Sequence, residues 1–277
     1  NGSFDPSTTN MNATYTPTAA EIANGSVTLT LTTTGNGTCN QVADNITLNF
    51  TPSPVVNAGA AVSVCANNAQ VALNGNVSGA TGGVWSGGAG SFLPNNTSLN
   101  ATYTPTAGEI AAGTLTLTLM STGNGNCNAV AASRVITFTP APVVNAGANA
   151  SICANNSAIL LNGTVTGAAG GTWTGGAGTY APNNTTLNAT YTPTAAEIAN
   201  GSVTLTLTSA GNGNCSAVTS QVTYTITPAP TANAGANISL CSNNANAALN
   251  GSVSVATGGI WSGGNGTYNP SANYVGA

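Results

Sequence analysis

From Ser202 to Thr208 the apolar residues Val203, Leu205 and Leu207 alternate with Thr204, Thr206 and Thr208. A period of two sends alternate side chains to opposite faces of an extended strand, so this pattern predicts a strand with its leucine face buried and its threonine face in water. Leu115, Leu117 and Leu119 repeat it. Further strands are predicted at Val143 to Cys153, Ala158 to Thr166, Gly171 to Thr174, Asn188 to Thr192 and Cys215 to Ile226. Gly175-Gly-Ala-Gly178 and Gly211-Asn-Gly-Asn214 supply turns, because glycine and asparagine tolerate the backbone angles that tight reversals need. About seven short strands in one such stretch predict a sandwich of two sheets. The single helical signal is Thr194-Ala-Ala-Glu197 after Pro193, a capping box in which each side chain satisfies the other residue's backbone amide. It recurs at Thr18 with Glu21 and at Thr106 with Glu109, each time shortly after a tyrosine (Tyr15, Tyr103, Tyr191). That position, between two strands, fits the crossover linking the sheets of an immunoglobulin-like fold.

The pattern is periodic on a larger scale. Trp85, Trp173 and Trp261 are spaced by 88 residues, as are Glu21, Glu109 and Glu197, then Cys39, Cys127 and Cys215, and also Cys65, Cys153 and Cys241. Asn-Ala-Thr-Tyr-Thr-Pro-Thr-Ala stands unchanged at 12–19, 100–107 and 188–195. Solenoid repeats run about 20 to 50 residues, so this period is a whole small domain. The segments Thr51-Pro-Ser-Pro54, Thr139-Pro-Ala-Pro142 and Thr227-Pro-Ala-Pro230 mark the joints, since paired prolines stiffen the chain and end sheet pairing. The fold class expected is therefore all-β: a tandem array of immunoglobulin-like β-sandwich domains. Complete repeats are expected at 55–142 and 143–230, flanked by the later part of a repeat at 1–54 and the earlier part of another at 231–277. Beyond Pro270 the last copy departs from the pattern, with Ser-Ala-Asn-Tyr-Val-Gly-Ala where 183–189 reads Asn-Asn-Thr-Thr-Leu-Asn-Ala.

Composition narrows the function. The chain has five carboxylates (Asp5, Glu21, Asp44, Glu109, Glu197), one arginine (Arg134), no lysine and no histidine, for a net charge of -4. The commonest general bases are missing, and the carboxylates are scattered, so no catalytic residue and no enzyme activity is expected. A single arginine cannot neutralise a phosphate backbone, which removes nucleic acid as a partner. No apolar run reaches the length of a membrane span, so no membrane insertion is expected in this segment. With 41% apolar residues the chain should fold, its surface wetted by Thr, Asn, Ser and Gly. Six cysteines without other metal ligands point to disulfides and an oxidising, extracytoplasmic location; no metal and no cofactor are expected.

Each conspicuous residue has a structural explanation. The capping boxes account for all three repeated glutamates, and the joints hold Pro, Thr and Asn where calcium-stiffened arrays need clustered carboxylates. Trp85, Trp173 and Trp261 are read as core anchors followed by a glycine turn, with stacking on a sugar ring as the alternative. The Thr28, Thr30 and Thr32 face is the wet side of one strand; an ice-binding surface needs ladders stacked about 4.8 Å apart. Sequons at Asn12, Asn45, Asn100, Asn162, Asn188, Asn200, Asn237 and Asn250 follow from composition. Arg134, where the other copies have Ile46 and Val222, reads as an exposed rim substitution at a strand start.

Six cysteines allow 15 pairings. Pairing within a repeat joins Cys65 to Cys127 and Cys153 to Cys215. Pairing across a boundary joins Cys39 to Cys65, Cys127 to Cys153 and Cys215 to Cys241. The two cysteine positions belong to opposite poles of an immunoglobulin-like topology, so Cα atoms must come within about 7 Å for either scheme. The within-repeat scheme is the expectation, because a staple closing a loop of that length within one unit adds about 2 to 4 kcal/mol.

The set of motifs Val-Asn-Ala-Gly, Cys-Ala-Asn-Asn, Leu-Asn-Gly, Trp-Ser-Gly-Gly-X-Gly, Asn-Ala-Thr-Tyr-Thr-Pro-Thr and Gly-Asn-Gly-Asn-Cys covers the whole chain. It resembles the tandem immunoglobulin-like or PKD-like repeats of giant cell-surface adhesins of Bacteroidota, the gliding-motility adhesins among them. The aromatic-Gly-Asp signature of many PKD domains is absent. The resemblance implies type IX secretion, display on a bacterial surface, and a role in adhesion or surface movement. The expected function is a structural segment of a long extracellular filament or adhesin stalk that spaces a distal binding module from the cell, its partners being neighbouring repeats of the same chain or filament. Two alternatives stand beside it: a carbohydrate-binding repeat that takes surface glycans, and a subunit that polymerises head to tail by completing split domains.

Overall fold

The computed structural model describes residues 1–269. The departure after Pro270 lies outside the described residues. Two compact units divide the chain, one ending at Thr139 and the other beginning at Pro140.

The first unit opens with β1 (Ser3–Asp5), β2 (Thr14–Thr16), helix α1 (Ala19–Ala23), β3 (Ser26–Thr32) and β4 (Ala43–Asn49). A complete sandwich follows: β5 (Val55–Asn57), β6 (Val62–Cys65), β7 (Val71–Ala72), β8 (Asn76–Ser78), β9 (Gly82–Ser86), β10 (Ser91–Leu93), β11 (Thr102–Thr104), α2 (Ala107–Ala112), β12 (Thr114–Thr122) and β13 (Ala131–Thr139). One sheet has the order β6-β13-β12-β9 and another β10-β11-β7, with β5 paired to β8. β6 runs parallel to β13, and the other pairs are antiparallel.

The second unit repeats this plan. It runs β14 (Val143–Asn145), β15 (Ala150–Cys153), β16 (Ile159–Leu160), β17 (Thr164–Thr166), β18 (Gly170–Thr174), β19 (Thr179–Ala181), β20 (Thr190–Thr192), α3 (Ala195–Asn200), β21 (Ser202–Ala210) and β22 (Thr219–Thr227), then β23 (Thr231–Asn233) and β24 (Ser252–Ser254). The sheets are β15-β22-β21-β18, β16-β20-β19 and β14-β17. Register is kept as well as order: Trp85 faces Leu119 and Trp173 faces Leu207. The fold is an all-β immunoglobulin-like sandwich, formed twice in succession.

Alternation along β21 puts Val203, Leu205, Leu207 and Ser209 inside. Val203, Leu205 and Leu207 meet Trp173, Leu161, Tyr191, Val222 and Ile226 in one buried cluster drawn from both larger sheets. Each large side chain fully removed from water contributes about 1.5 to 3 kcal/mol before chain entropy is subtracted. The first unit has the equivalent cluster around Trp85, Tyr103, Leu117 and Leu119.

Several predicted strands divide. Val143 to Cys153 breaks into β14 and β15, because Gly147 takes φ 93° and its N–H donates to Asn145 Oδ1 at 2.8 Å. That turn sends β14 to β17 and β15 to β22. Ala158 to Thr166 likewise divides into β16 and β17, with Gly163 between them; a Cβ there would lie 2.7 Å from Trp173 Cζ2. The strand predicted from Cys215 starts only at Thr219, since Cys215 to Val218 belongs to the hairpin turn, closed by Val218 N–H donating to Ser209 Oγ at 2.9 Å. β19 has too short an alternation to stand out in sequence; it forms because Tyr180 lies directly opposite Tyr191.

Arg134 is a correction. It lies within β13 opposite Leu117, half-buried, with Nη1 donating to Ala72 O at 3.1 Å. The guanidinium reaches from β13 to a carbonyl of β7, which belongs to the other sheet of the sandwich.

Candidate functional site

In each sandwich the capping glutamate accepts several hydrogen bonds at once. Thr106 stands at the N-cap of α2 in an extended conformation, and its Oγ1 accepts from Glu109 N–H at 3.3 Å. Glu109 Oε2 in return accepts from Thr106 N–H at 2.7 Å and from Thr106 Oγ1 at 3.0 Å. The other oxygen faces the sandwich: Oε1 accepts from Tyr103 OH at 2.7 Å and from Ala89 N–H at 2.7 Å. Tyr103 OH also accepts from Gly90 N–H at 2.8 Å. The carboxylate therefore ties the crossover helix, a strand of the three-stranded sheet and the glycine turn after Trp85 into one node.

The second repeat reproduces it. Glu197 accepts from Thr194 N–H, Tyr191 OH and Ala177 N–H, each at 2.7 Å, and Tyr191 OH accepts from Gly178 N–H at 2.8 Å. Near the amino end Glu21 accepts from Thr18 N–H at 2.8 Å and Tyr15 OH at 2.9 Å. The sequence placed each tyrosine just before its crossover and the glycines in a turn, but not the bonds that join both to the glutamate. The signal was present in the fixed spacing of Gly-Gly-X-Gly, Tyr and Glu. A Cβ at Gly88 or Gly176 would collide with the tyrosine hydroxyl, so the turn must be glycine where the phenol enters.

Burial raises the affinity of Glu109 for a proton, but the bonds from Thr106, Tyr103 and Ala89 outweigh it and hold the carboxyl at about 2. Glu197 is likewise held below the ordinary carboxylate range, with burial opposing and the same donors prevailing. Burial, together with the hydrogen bond to the carboxylate, pushes Tyr103 and Tyr191 up to about 12. An acceptor with several fixed donors and a depressed pKa is poorly suited to proton transfer at neutral pH. The node is a structural clamp.

Trp85 and Trp173 are fully buried, and their Nε1 donate to Leu99 O at 3.2 Å and Leu187 O at 3.1 Å. With ring and N–H both satisfied inside, neither indole face is open to a sugar. Trp261 is only partly buried and borders a cavity of about 200 Å³ with Ala232, Gly251, Val253 and Ile260. The sequon asparagines named above are all exposed.

The cysteines differ from expectation. Cys65 and Cys215 are disulfide-bonded, whereas Cys39, Cys127, Cys153 and Cys241 are free thiols. Neither the within-repeat scheme nor the boundary scheme occurs. The reason is visible in the second unit, where Cys215 Sγ lies 3.6 Å from Pro140 O at the leading end of the repeat and Cys153 Sγ lies 3.9 Å from Pro228 O at its trailing end. A sandwich separates the two positions by its own length.

Among the described residues, no group of three or more His, Cys, Asp or Glu is placed to hold a metal ion, and no helix is long and apolar enough to cross a membrane. No family model matches the sequence, and no curated protein matches it. Similar solved structures are tandem cadherin ectodomains. Mouse cadherin-23 domains 22–24 align at 13% identity and TM-score 0.34, covering 78% of this chain and 79% of that one. Drosophila N-cadherin domains 1–4 give 10% and 0.35, covering 67% and 52%. Protocadherin gamma B2 domains 3–6 give 14% and 0.30, with 76% of this chain covered; the chain spans 60% of that fragment's length.

Proposed function

We propose that these repeats form a structural segment of an extracellular surface filament or adhesin stalk of the kind the Bacteroidota resemblance implies, built to set a distal binding module at a distance from the cell. The observation that carries this reading is the identity of strand order and register in two consecutive 88-residue repeats joined by a Thr-Pro-Ala-Pro segment without insertion. Constant domain geometry and proline-stiffened joints suit a spacer. The buried Trp85 and Trp173 and the saturated Glu109 and Glu197 favour scaffold over binding module or enzyme.

Immunogold labelling of intact cells with antibody to these repeats, paired with glycan-array screening of the full chain, tests it. The expected result is gold on surface filaments and no defined glycan bound. Saturable binding of one glycan, with a shift in tryptophan emission, would replace the spacer with the carbohydrate-binding reading.

A second reading, head-to-tail assembly by completion of split domains, draws on β3 and β4, which pair only with each other and leave Leu31 and Ile46 more than half exposed. Concentration-dependent polymerisation of the purified chain would favour it. A monomer at high concentration would remove it.

A further inference from the structure

We infer that the groove beside Trp261 is a docking site for the amino-terminal hairpin, β3 and β4, of a second copy of this chain. The second complete repeat is the template. There Leu207 of β21 lies opposite Trp173, and Leu205 and Leu207 close the core against Trp173, Val144 and Val165. Trp261, Ala232 and Val253 stand 88 positions after these last three and line the groove of about 200 Å³. β23 pairs with β24 in the register that β14 keeps with β17. The indole is seated alike, since a Cβ at Gly251 would lie 2.5 Å from Trp261 Cζ2, as one at Gly163 would lie 2.7 Å from Trp173 Cζ2. One half of a core is therefore preformed, and Leu249 is left 44% exposed where its counterpart Leu161 is wholly buried.

The other half is carried by β3 and β4. β3 repeats the first seven residues of β21, so Leu29 and Leu31 are the counterparts of Leu205 and Leu207. Among the described residues β3 pairs only with β4, and Leu31 and Ile46 are exposed where Leu207 and Val222 are buried. With each surface exposed in the single chain, the complement to either comes from another copy. The register of the second repeat then sets β3 antiparallel to 258–262, with Leu31 opposite Trp261 and Thr32 opposite Ile260. Strand addition of this kind supplies main-chain hydrogen bonds together with the leucines. One side-chain contact accompanies it. Ala146 N–H donates to Ser220 Oγ at 3.1 Å, and the counterparts are Ala234 in the groove wall and Asp44 of β4, whose carboxylate accepts the same bond with a charge. Residues 231–269 carry no charged side chain, so docking buries no ion of the acceptor. A contact that joins different surfaces of two copies propagates head to tail. Dilution leaves both surfaces open, as in the single chain.

This inference rests on the assembly reading above and names its donor and acceptor. The test is sedimentation of the full chain beside Leu31→Asn, which disables the donor, and Trp261→Ser, which disables the acceptor. Both positions lie outside the two complete cores, so unchanged emission from buried Trp85 and Trp173 certifies folding. The expected result is that the unaltered chain forms oligomers beyond the dimer, each variant alone loses them and stays monomeric, and an equimolar mixture of the variants stops at dimers. Trp261 emission in that mixture should shift to the blue. Oligomers that persist in either variant would overturn this docking and leave head-to-tail assembly by another surface. An unaltered chain that stays monomeric at high concentration would remove both, and monomers alone in the mixture would overturn the pairing of these two surfaces.

Discussion

The heptapeptide Ser-Val-Thr-Leu-Thr-Leu-Thr occurs twice, as β3 at 26–32 and within β21 at 202–208, and meets two different fates. Both copies form a hairpin in the same register, Ser26 opposite Asn49 and Ser202 opposite Thr225. In β21 Leu207 is wholly buried, whereas the equivalent Leu31 is 65% exposed. The difference lies beside the hairpin: β21 has β18 and Trp173 paired along its other edge, and β3 has no second partner among the described residues. Hairpin pairing is thus a local property of alternation and turn, while burial is conferred by strands distant in sequence. The glutamate node is local too. Tyr15 and Glu21 keep their 2.9 Å bond beside the incompletely covered β3.

That contrast can be broken or sharpened, most strongly at the tryptophans. Trp173→Ala should cost its repeat about 3 to 5 kcal/mol in denaturant unfolding, and Trp261→Ala under about 1 kcal/mol. Equal costs would mean that burial does not separate the two sites. Within the shared heptapeptide, Leu207→Ala should cost about 2 to 5 kcal/mol and Leu31→Ala no more than about 0.5 kcal/mol by the same assay. Comparable losses would show the amino-terminal hairpin to be covered in solution.

Glu109→Gln should destabilise its repeat by about 1 to 3 kcal/mol, because an amide nitrogen must face donors that the carboxylate oxygens now accept from. An unchanged midpoint would show the clamp to be redundant. The same node sets the pH profile. Glu109, lowered from 4.5 to about 2 on folding, gives stability that is complete above about 4.5 and lost as pH falls through 2. Tyr103, raised from 10.0 to about 12, gives stability complete below about 10 and lost as pH rises through 12. With no lysine or histidine in the chain, the melting temperature should be flat from about pH 5 to 7. A slope in that window would contradict this assignment of the titrating groups. The smallest effect is spectroscopic: acrylamide should quench Trp261 in a variant lacking the other two indoles, and leave Trp85 and Trp173 largely unquenched in theirs.

Much of the architecture is legible in the sequence because its signals are short-range. Alternation marks β12 and β21, glycine and asparagine mark the turns, and Thr-X-X-Glu marks each crossover. Less legible were the breaks at Gly147 and Gly163. Each is an ordinary glycine in sequence and becomes a strand boundary only where the chain changes sheet or meets the Trp173 ring. The clamp was half legible: the capping bond spans three residues, but the bonds from Tyr103 OH and Ala89 N–H reach Glu109 across 6 and 20.

The sequence by itself determined the strands, the 88-residue period, the capping boxes and the near absence of titratable charge, since each depends on residues adjacent along the chain or on counting. Tertiary structure alone decided which copy of a strand is buried, which tryptophan is enclosed and which cysteines are bonded. Spacing says how much chain separates two thiols. The immunoglobulin-like topology expected from the sequence already put the two cysteine positions at opposite poles; the folded sandwich adds that Cys215 meets the Pro140 carbonyl and Cys153 the Pro228 carbonyl, because strand pairing converts sequence separation into direction.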